Sequence, residues 1–307
     1  MPDKIKTIFF GTDDFAKIIL SKLIDSEEFF IDLVITKPDK KIGRSQSKQE
    51  NPVKELAQKQ KLAIKQPENL NHLQLAGDID LGVTAQFGKI IPKQLLNAPE
   101  HGILNIHTSL LPKYRGPAPI QTALLEGENE TGVTIMKMDE GLDTGPIIFQ
   151  KTQEISSTDK YPDLNEKLAQ LGAEALLESA PKYVEGELEP RQQDDKNATS
   201  TSKFDREDGK IDWQNSAENI YNKYRAFTPW PGIWTEWNGD RFKLHEITPE
   251  DQQIQPGKVK IAGKKMFIGC GKNSISVQKI QPSGKQKMDI VDFINGYGDR
   301  IHEEVLS

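Results

Sequence analysis

Apolar and polar positions follow two different periods along the chain, and each period predicts a different element. Short apolar runs rich in β-branched and aromatic residues predict buried strands, at residues 5–10, 31–36, 81–84, 102–107 and 131–138. Between these runs, apolar residues at helical spacing predict helices, at residues 12–23, from 52 onwards, 120–127 and 163–179. A strand, a helix and a second strand in succession form a right-handed parallel unit. The pattern therefore predicts an α/β fold with a mostly parallel sheet.

The alternation of strands and helices is interrupted twice after residue 145. Residues 147–150 and 153–155 predict a hairpin outside the main sheet. Residues 191–202 have no apolar face and are typical of a linker. We therefore predict a first domain, a linker and a second domain, with bounds 1–189, 190–206 and 207–307.

The second predicted domain combines one helix with short strands. Ile220, Tyr224 and Phe227 recur on one helical face. Glycine or proline separates the short alternating strands predicted after this helix, at residues 241–247, 258–261, 265–269 and 274–280. This spacing is typical of a small OB-like β-barrel.

Composition narrows the class of protein. Charged residues make up 28% of the chain and there is no run of 18 apolar residues, so we expect a cytoplasmic protein without a membrane span. The single cysteine, Cys270, excludes an internal disulfide framework. Five histidines without a metal-binding spacing argue against a bound metal ion.

The charge is unevenly distributed along this acidic chain. The net charge is −6, yet residues 256–288 contain eight lysines and no acidic residue. Residues 37–48 form a second basic region, in which Asp39 is the only acidic residue. Two basic regions on an acidic protein favour a polyanionic partner such as nucleic acid, although a solvated surface explains either region taken alone.

A candidate catalytic set lies in and after the predicted strand 102–107. Asn105 and His107 are two residues apart, so a strand presents their side chains on the same face. Asp143 follows in a loop bracketed by Gly141 and Gly145. An amide and an imidazole can hydrogen-bond an oxyanion, and a carboxylate can orient the imidazole and relay protons. Such a set is suited to acyl transfer to an amine.

Spacing alone leaves other interpretations of these three residues open. A lone histidine in an apolar strand is more often a core residue than a catalytic one. An aspartate in a glycine-rich loop more often stabilises a turn.

The same stretch resembles the signature of the 10-formyl-tetrahydrofolate-dependent formyltransferases. The matching residues are Asn105-x-His107, Ser109-Leu110-Leu111-Pro112, Arg115-Gly116 and Leu142-Asp143-Thr144-Gly145. The resemblance implies a Rossmann-like domain followed by the OB-like one, with Asn105, His107 and Asp143 as catalytic residues. It also implies 10-formyl-tetrahydrofolate as co-substrate and no metal.

The resemblance further implies which residues contact the folate. The loop 85–92 follows a predicted parallel strand, where α/β proteins place ligands, and in the family it lies against the pterin. Its contacts are expected from Phe87, Gly88 and Ile90. A second contact is expected from the turn Ser109-Leu110-Leu111-Pro112.

Members of the family that act on methionyl initiator tRNA resemble this chain over nearly its whole length. In those members the basic loop that corresponds to residues 37–51 grips the tRNA acceptor arm. We therefore expect initiator methionyl-tRNA as the partner of a monomer, with Lys41 and Arg44 contacting the RNA. Gly11 and Phe15 are expected near a pocket for the methionine side chain.

Two other functions remain open at this point. A sister formyltransferase acting on an amino-sugar nucleotide would share the catalytic set, whereas one acting on glycinamide ribonucleotide would lack the last hundred residues. A non-catalytic RNA-binding protein on the same scaffold would be expected to have lost at least one of Asn105, His107 and Asp143. The two basic regions favour the tRNA substrate.

Overall fold

The computed structural model describes residues 4–42, 47–75 and 77–307. The chain forms two compact units. The first runs to Pro119 and also includes Glu130–Glu154 and Asn165–Thr201. The second consists of Ile120–Asn129, Ile155–Leu164 and Ser202–Ser307.

Strands and helices are interspersed along the chain up to residue 184. In chain order they are β1 Ile5–Gly11, α1 Asp14–Asp25, β2 Phe29–Ile35, β3 Lys40–Ile42, β4 Ser47–Gln49, α2 Pro52–Lys59, β5 Ile64–Lys65, β6 Leu81–Ala85, α3 Lys93–Leu96, β7 Ile103–His107, α4 Pro119–Leu125, β8 Glu130–Lys137, β9 Ile147–Glu154 and α5 Tyr161–Val184. Within the described residues, no helix has both the length and the apolar character needed to cross a bilayer.

A seven-stranded sheet forms the core of the first unit, in the order β5-β2-β1-β6-β7-β8-β9. The strands from β5 to β7 are parallel, while β8 runs antiparallel to β7 and β9 antiparallel to β8. The mostly parallel α/β prediction is confirmed. The predicted hairpin at 147–155 is wrong, because these residues form one continuous strand at the edge of the main sheet.

Local sequence explains where the first helices begin. Asp13 caps α1, its carboxylate accepting a hydrogen bond from the Ala16 N–H. Asn51 caps α2 in the same way at Lys54, and Pro52 follows at the first helical position, where its missing N–H costs nothing. Caps therefore fix where the chain turns from each strand end or loop into a helix.

The sheet is covered by apolar side chains on both faces. All five residues of β6 are buried, as expected for a central parallel strand. On one face, Phe87 packs edge-on against Phe10 within a cluster that includes Ile8, Ile35 and Ile103. On the other face, α5 approaches β7 so closely that a Cβ at Gly172 would lie 2.8 Å from Ile106. This packing fixes the position of β7.

The second unit contains the remaining regular elements. They are α6 Ala217–Phe227, β10 Ile233–Trp237, β11 Asp240–Glu250, β12 Val259–Ala262, β13 Lys265–Gly269, β14 Ser274–Pro282, β15 Met288–Asp289 and α7 Ile290–Ile301. The strands form an antiparallel sheet in the order β10-β11-β14-β13-β12, with β15 paired to β14. The predicted fold class, a smaller antiparallel OB-like β domain after the α/β domain, is confirmed; β10 was not predicted.

A buried arginine holds part of the second unit together. Arg225 on α6 is 5% exposed, and its guanidinium donates to the carbonyl oxygens of Ser156 and Asp159 at 3.4 and 3.2 Å. It also donates to the Asn222 side chain at 2.6 Å. Burial lowers the pKa of Arg225. Residues 155–164, distant in sequence, are thus tied to α6 through buried polar groups that need these hydrogen bonds.

Replacing Arg225 by Met is expected to lower the free energy of unfolding by about 2–4 kcal/mol, because the buried Asp159 carbonyl group, the partly buried Ser156 carbonyl group and one amide oxygen lose their donors. Urea denaturation of the purified protein measures this. The matched control is Arg300→Met on α7, whose arginine is exposed. Equal stability of the two variants would contradict the structural role of Arg225.

Asp13 makes the stability of the protein depend on pH. Burial raises the pKa of Asp13 to about 6 from its ordinary 3.8, so the folded chain holds a proton that the unfolded chain has lost. Stability therefore falls as the pH rises between these two values. Asp13→Asn keeps the capping oxygen without the charge, and is expected to raise the free energy of unfolding at pH 8 by about 1–2 kcal/mol.

Urea denaturation at pH 4 and pH 8 tests this prediction. The gain from Asp13→Asn is expected to shrink towards zero at pH 4, where the wild-type carboxyl is already protonated in the folded state. Asp14→Asn, one residue along and exposed, is the control. A gain of the same size at both pH values would rule out a titration of Asp13 as its cause.

Candidate active site

Strand β7 presents the first two polar groups of the site. It lies inside the sheet, parallel to β6 and antiparallel to β8, so its backbone is held on both sides. Asn105 and His107 project from the same face, as their spacing predicted. The His107 side chain is 6% exposed and Asn105 is half-buried. The histidine is therefore a buried polar residue that needs partners.

Asp143 meets both of these side chains. Its Oδ1 lies 3.5 Å from Asn105 Nδ2 and 3.7 Å from His107 Nδ1, and its other oxygen, Oδ2, accepts a hydrogen bond from the Gly116 N–H at 2.8 Å. The backbone of Asp143 has φ 54°, a left-handed conformation that is rare for residues other than glycine. The structure thus brings together the three residues that the sequence proposed as catalytic.

The hydrogen bond made by His107 Nε2 determines the tautomer of its ring. Nε2 lies 2.9 Å from the carbonyl oxygen of Tyr114, which can only accept. Nε2 must therefore carry a proton. In the neutral ring Nδ1 then has a free lone pair towards Asp143, and in the charged ring it has an N–H there instead. The arrangement allows Nδ1 to gain and lose a proton beside a carboxylate.

The turn that follows β7 is held by its own polar groups. Ser109 is fully buried and its hydroxyl donates to the carbonyl oxygen of Lys113 at 2.6 Å. The Thr134 hydroxyl on β8 donates to the carbonyl oxygen of Ser109 and accepts from the Leu111 N–H. Leu110 is half-buried against Gly132, Leu111 is buried, and Pro112 is half-buried. Ser109, one of the predicted folate contacts, thus already uses its hydroxyl proton in a hydrogen bond to Lys113.

The loop after β6 provides a different kind of surface. Phe87 is 3% exposed and belongs to the core, while Gly88 turns the chain at φ 63°. A Cβ at Gly88 would collide with the end of the Lys37 side chain. Ile90, by contrast, is 93% exposed. Of the three predicted folate contacts in this loop, only Ile90 has a fully accessible side chain.

The four predicted substrate-binding residues have different surroundings. Gly11 ends β1, where a Cβ would clash with Ala16 and Phe9. Phe15 is completely buried in α1. Lys41 lies in β3, and Arg44 lies outside the described residues.

Sequence reasoning missed several residues that build the site. Thr134 and Gln150 support the turn after β7, since the Gln150 amide donates to the Leu111 carbonyl oxygen and to the Thr134 hydroxyl. Gln193 binds the backbone of the Asp143 loop. None of the three has a distinctive neighbour in sequence, so nothing but the fold identifies them. Among the described residues, no group of three or more His, Cys, Asp or Glu side chains is arranged to hold a metal ion.

Comparison with known families matches both parts of the chain. Residues 3–180, more than half of its length, match the formyl transferase family model, and residues 203–298 match the formyl transferase C-terminal domain. A methionyl-tRNA formyltransferase of Lactococcus lactis subsp. lactis is 41% identical over 311 residues, which cover 97% of both chains. One from Streptococcus pneumoniae is 39% identical over 299 residues, covering 95% of this chain and 96% of the relative.

Solved structures show the same fold at lower sequence identity. An N-formyltransferase from Helicobacter canadensis, in complex with folinic acid and dTDP-3-aminofucose, has a TM-score of 0.69 at 20% identity and covers 93% of this chain and all of its own. A methionyl-tRNA formyltransferase from Clostridium thermocellum has a TM-score of 0.55 at 18% identity, covering 80% of this chain and 94% of its own. With its motifs, its fold and both domain matches in agreement, the chain belongs to the formyl transferase family.

Proposed function

We propose that this formyltransferase transfers the formyl group of 10-formyl-tetrahydrofolate to the α-amino group of methionyl initiator tRNA, as a monomer in the cytoplasm. The observation that carries the proposal is the meeting of Asn105, His107 and Asp143 in a buried site of a formyl transferase chain. Relatives about as long as this chain and about 40% identical to it are methionyl-tRNA formyltransferases, which supports the choice of acceptor.

Asn105 and His107 are suited to stabilise the oxyanion that forms when the amine attacks the formyl carbon. Asn105 donates from its amide, whereas His107 donates from Nδ1 and only when the ring is charged, because the Nε2 N–H is bonded to the Tyr114 carbonyl oxygen. Both residues lie on the rigid strand β7, so they need little reorganisation as charge develops. Each such donor in a water-poor site contributes about 3 kcal/mol to lowering the barrier. Asp143 accepts from the Asn105 amide and so directs its N–H groups.

The pair of His107 and Asp143 is suited to move the proton that the reaction must transfer. A carbon–nitrogen bond forms to the α-amine, the bond to the folate nitrogen breaks, and one proton passes from the first nitrogen to the second. His107 Nδ1 can hold that proton because Asp143 Oδ1, at 3.7 Å, stabilises the charged ring. The Gly116 N–H, which donates to Oδ2 at 2.8 Å, holds the carboxylate in place.

The exposed apolar side chains around the site suit a folate. Ile90 and Leu142 are 93% and 68% exposed, and both lie in loops that the proposal places beside the co-substrate. A pterin offers flat apolar faces against which exposed apolar side chains can pack. Ser109–Pro112 adds a turn whose polar groups already have partners at Lys113 and Thr134, as expected of a packing surface.

The second unit has a surface suited to the phosphates of an RNA. Six lysines of the basic region are exposed: Lys260, Lys264, Lys265, Lys272, Lys285 and Lys287. The other two, Lys258 and Lys279, form ion pairs with Glu303 and Glu246. Exposed lysines on an antiparallel β domain can bind an RNA backbone without reading its bases. This supports a tRNA in preference to a sugar nucleotide.

A transfer assay tests the proposed function. Purified protein is incubated with 10-formyl-tetrahydrofolate and either methionyl initiator tRNA or a dTDP-amino sugar, and formylated product is measured. Formylation of the tRNA alone is expected. His107→Ala is expected to reduce it by at least about 100-fold, because an oxyanion donor and the proton carrier are both lost.

His72→Ala is the control for this assay, because His72 is exposed and distant in sequence from the site. Formylation of the sugar alone would support the amino-sugar alternative, which the likeness to the Helicobacter canadensis structure keeps open. Binding of tRNA without any transfer would support the non-catalytic alternative.

Asp143→Asn separates the charge of Asp143 from its shape. The amide has the same size, but it cannot stabilise a charged imidazole, so kcat is expected to fall by about 100-fold or more while the protein remains folded. Steady-state kinetics and circular dichroism measure both. Glu140→Gln removes an exposed carboxylate of the same loop and is the control. Near-normal kcat in Asp143→Asn would remove Asp143 from the mechanism.

A further inference from the structure

Segment 191–201 has the sequence of a linker but is built into the first unit. It contains one apolar side chain in eleven residues, Ala198, and most of its residues are exposed. Nevertheless, it forms backbone bonds at both ends. Arg191 exchanges two hydrogen bonds with Ile147 on β9, and Thr199 and Thr201 bond to Arg115 on both its N–H and carbonyl groups. The segment is therefore held by hydrogen bonds and not by apolar packing.

Gln193 is the residue of this segment that reaches the catalytic loop. Its Nε2 donates to the carbonyl oxygens of Asp143 and Gly145 at 2.9 and 2.7 Å. Its Oε1 accepts from Arg115 Nε at 3.0 Å. The Gln193 amide thus uses both of its N–H groups and its oxygen in hydrogen bonds. The two carbonyl groups that it binds lie on either side of Thr144.

Arg115 closes a ring of contacts around Asp143. Its side chain is 12% exposed, and its guanidinium forms an ion pair with Asp195 at 2.8 Å, which fixes the group that Gln193 binds. The next residue, Gly116, donates its N–H to the carboxylate of Asp143. Gln193 therefore holds the backbone of Asp143, while Gly116, which follows Arg115, holds the Asp143 carboxylate.

Asp143 needs such support because of its conformation. At φ 54° an L-residue occupies a sparsely populated region, which persists only when the surroundings hold it. The carboxylate must also stay within reach of Asn105 and His107, at 3.5 and 3.7 Å. A shift of about 1 Å in a catalytic group can cost about 100-fold in rate. Two hydrogen bonds from one fixed amide are well placed to prevent such a shift.

We propose that Gln193 is a positioning residue, which holds the loop 143–145 so that the Asp143 carboxylate stays at His107 and Asn105. The inference rests on the proposed function in that Asp143 is taken as catalytic. Gln193 also accepts a hydrogen bond from Arg115, but Thr199 and Thr201 hold the backbone around Arg115 through their own bonds.

Three variants separate the contributions of the Gln193 amide. Gln193→Met removes all of its hydrogen bonds at nearly constant volume. Gln193→Glu keeps an acceptor for Arg115 but has no N–H for the two carbonyl groups. Gln192→Met, one residue earlier and exposed, is the control. Both Gln193 variants are expected to lower kcat by about 10- to 100-fold with the KM for each substrate within about twofold of wild type, and the control to match wild type.

A double-mutant comparison distinguishes positioning from a general structural role. If Gln193 acts through Asp143, then Gln193→Met should lower kcat far less in an Asp143→Asn background than in the wild-type background. An equal loss in both backgrounds would overturn the inference. So would a rise in KM with kcat preserved, or wild-type kinetics in Gln193→Met.

Hydrogen exchange gives a readout that needs no activity. Amide protons of residues 139–145 are expected to exchange faster in Gln193→Met than in Gln192→Met, while those of β7 exchange at the same rate in both. Unchanged exchange in 139–145 would overturn the inference. Absence of transfer by the wild-type protein to every acceptor would instead overturn the proposed function, and the exchange measurement would still decide whether Gln193 holds the loop.

Discussion

The site depends on holding one carboxylate in a conformation that the chain would not adopt by itself. Asp143 has a left-handed backbone, and its two oxygens face different groups: one faces Asn105 and His107, the other the Gly116 N–H. The sheet fixes the first pair through β7, and the segment around Arg115 fixes the third partner. The rigidity of the site therefore depends on the loop that carries Asp143, because this carboxylate bridges β7 and the segment around Arg115.

Elements with a strong apolar period were predictable, and so was part of the site. The strand 102–107 gave the shared face of Asn105 and His107, because period two is a local property of a strand. The distance from His107 to Asp143 was not predictable, since it depends on how a nine-residue loop folds back between β8 and β9. The resemblance to a family supplied Asp143's role, and its geometry came only with the structure.

The hairpin prediction at residues 147–155 was wrong for a physical reason. β9 carries Lys151 and Thr152 in its middle, and these polar residues divided the apolar pattern into two short segments. The Gln150 amide on the same strand is satisfied by the Leu111 carbonyl oxygen and the Thr134 hydroxyl, partners that only the sheet brings near. The linker interpretation of residues 191–202 rested on the absence of an apolar face, and the hydrogen bonds that hold 191–201 leave no hydrophobic signature in the sequence. Apolar periodicity along a sequence therefore does not reveal segments that are held by hydrogen bonds.

The chain passes from one unit to the other five times, because the second unit takes Ile120–Asn129 and Ile155–Leu164 from within the sequence of the first. No single cut can therefore separate the two units as complete pieces. A fragment that starts at Ser202 would contain Arg225 but lack Ser156 and Asp159, leaving a buried guanidinium without two of its acceptors. A fragment limited to residues 203–298, which match the formyl transferase C-terminal domain, would therefore lack part of the second unit.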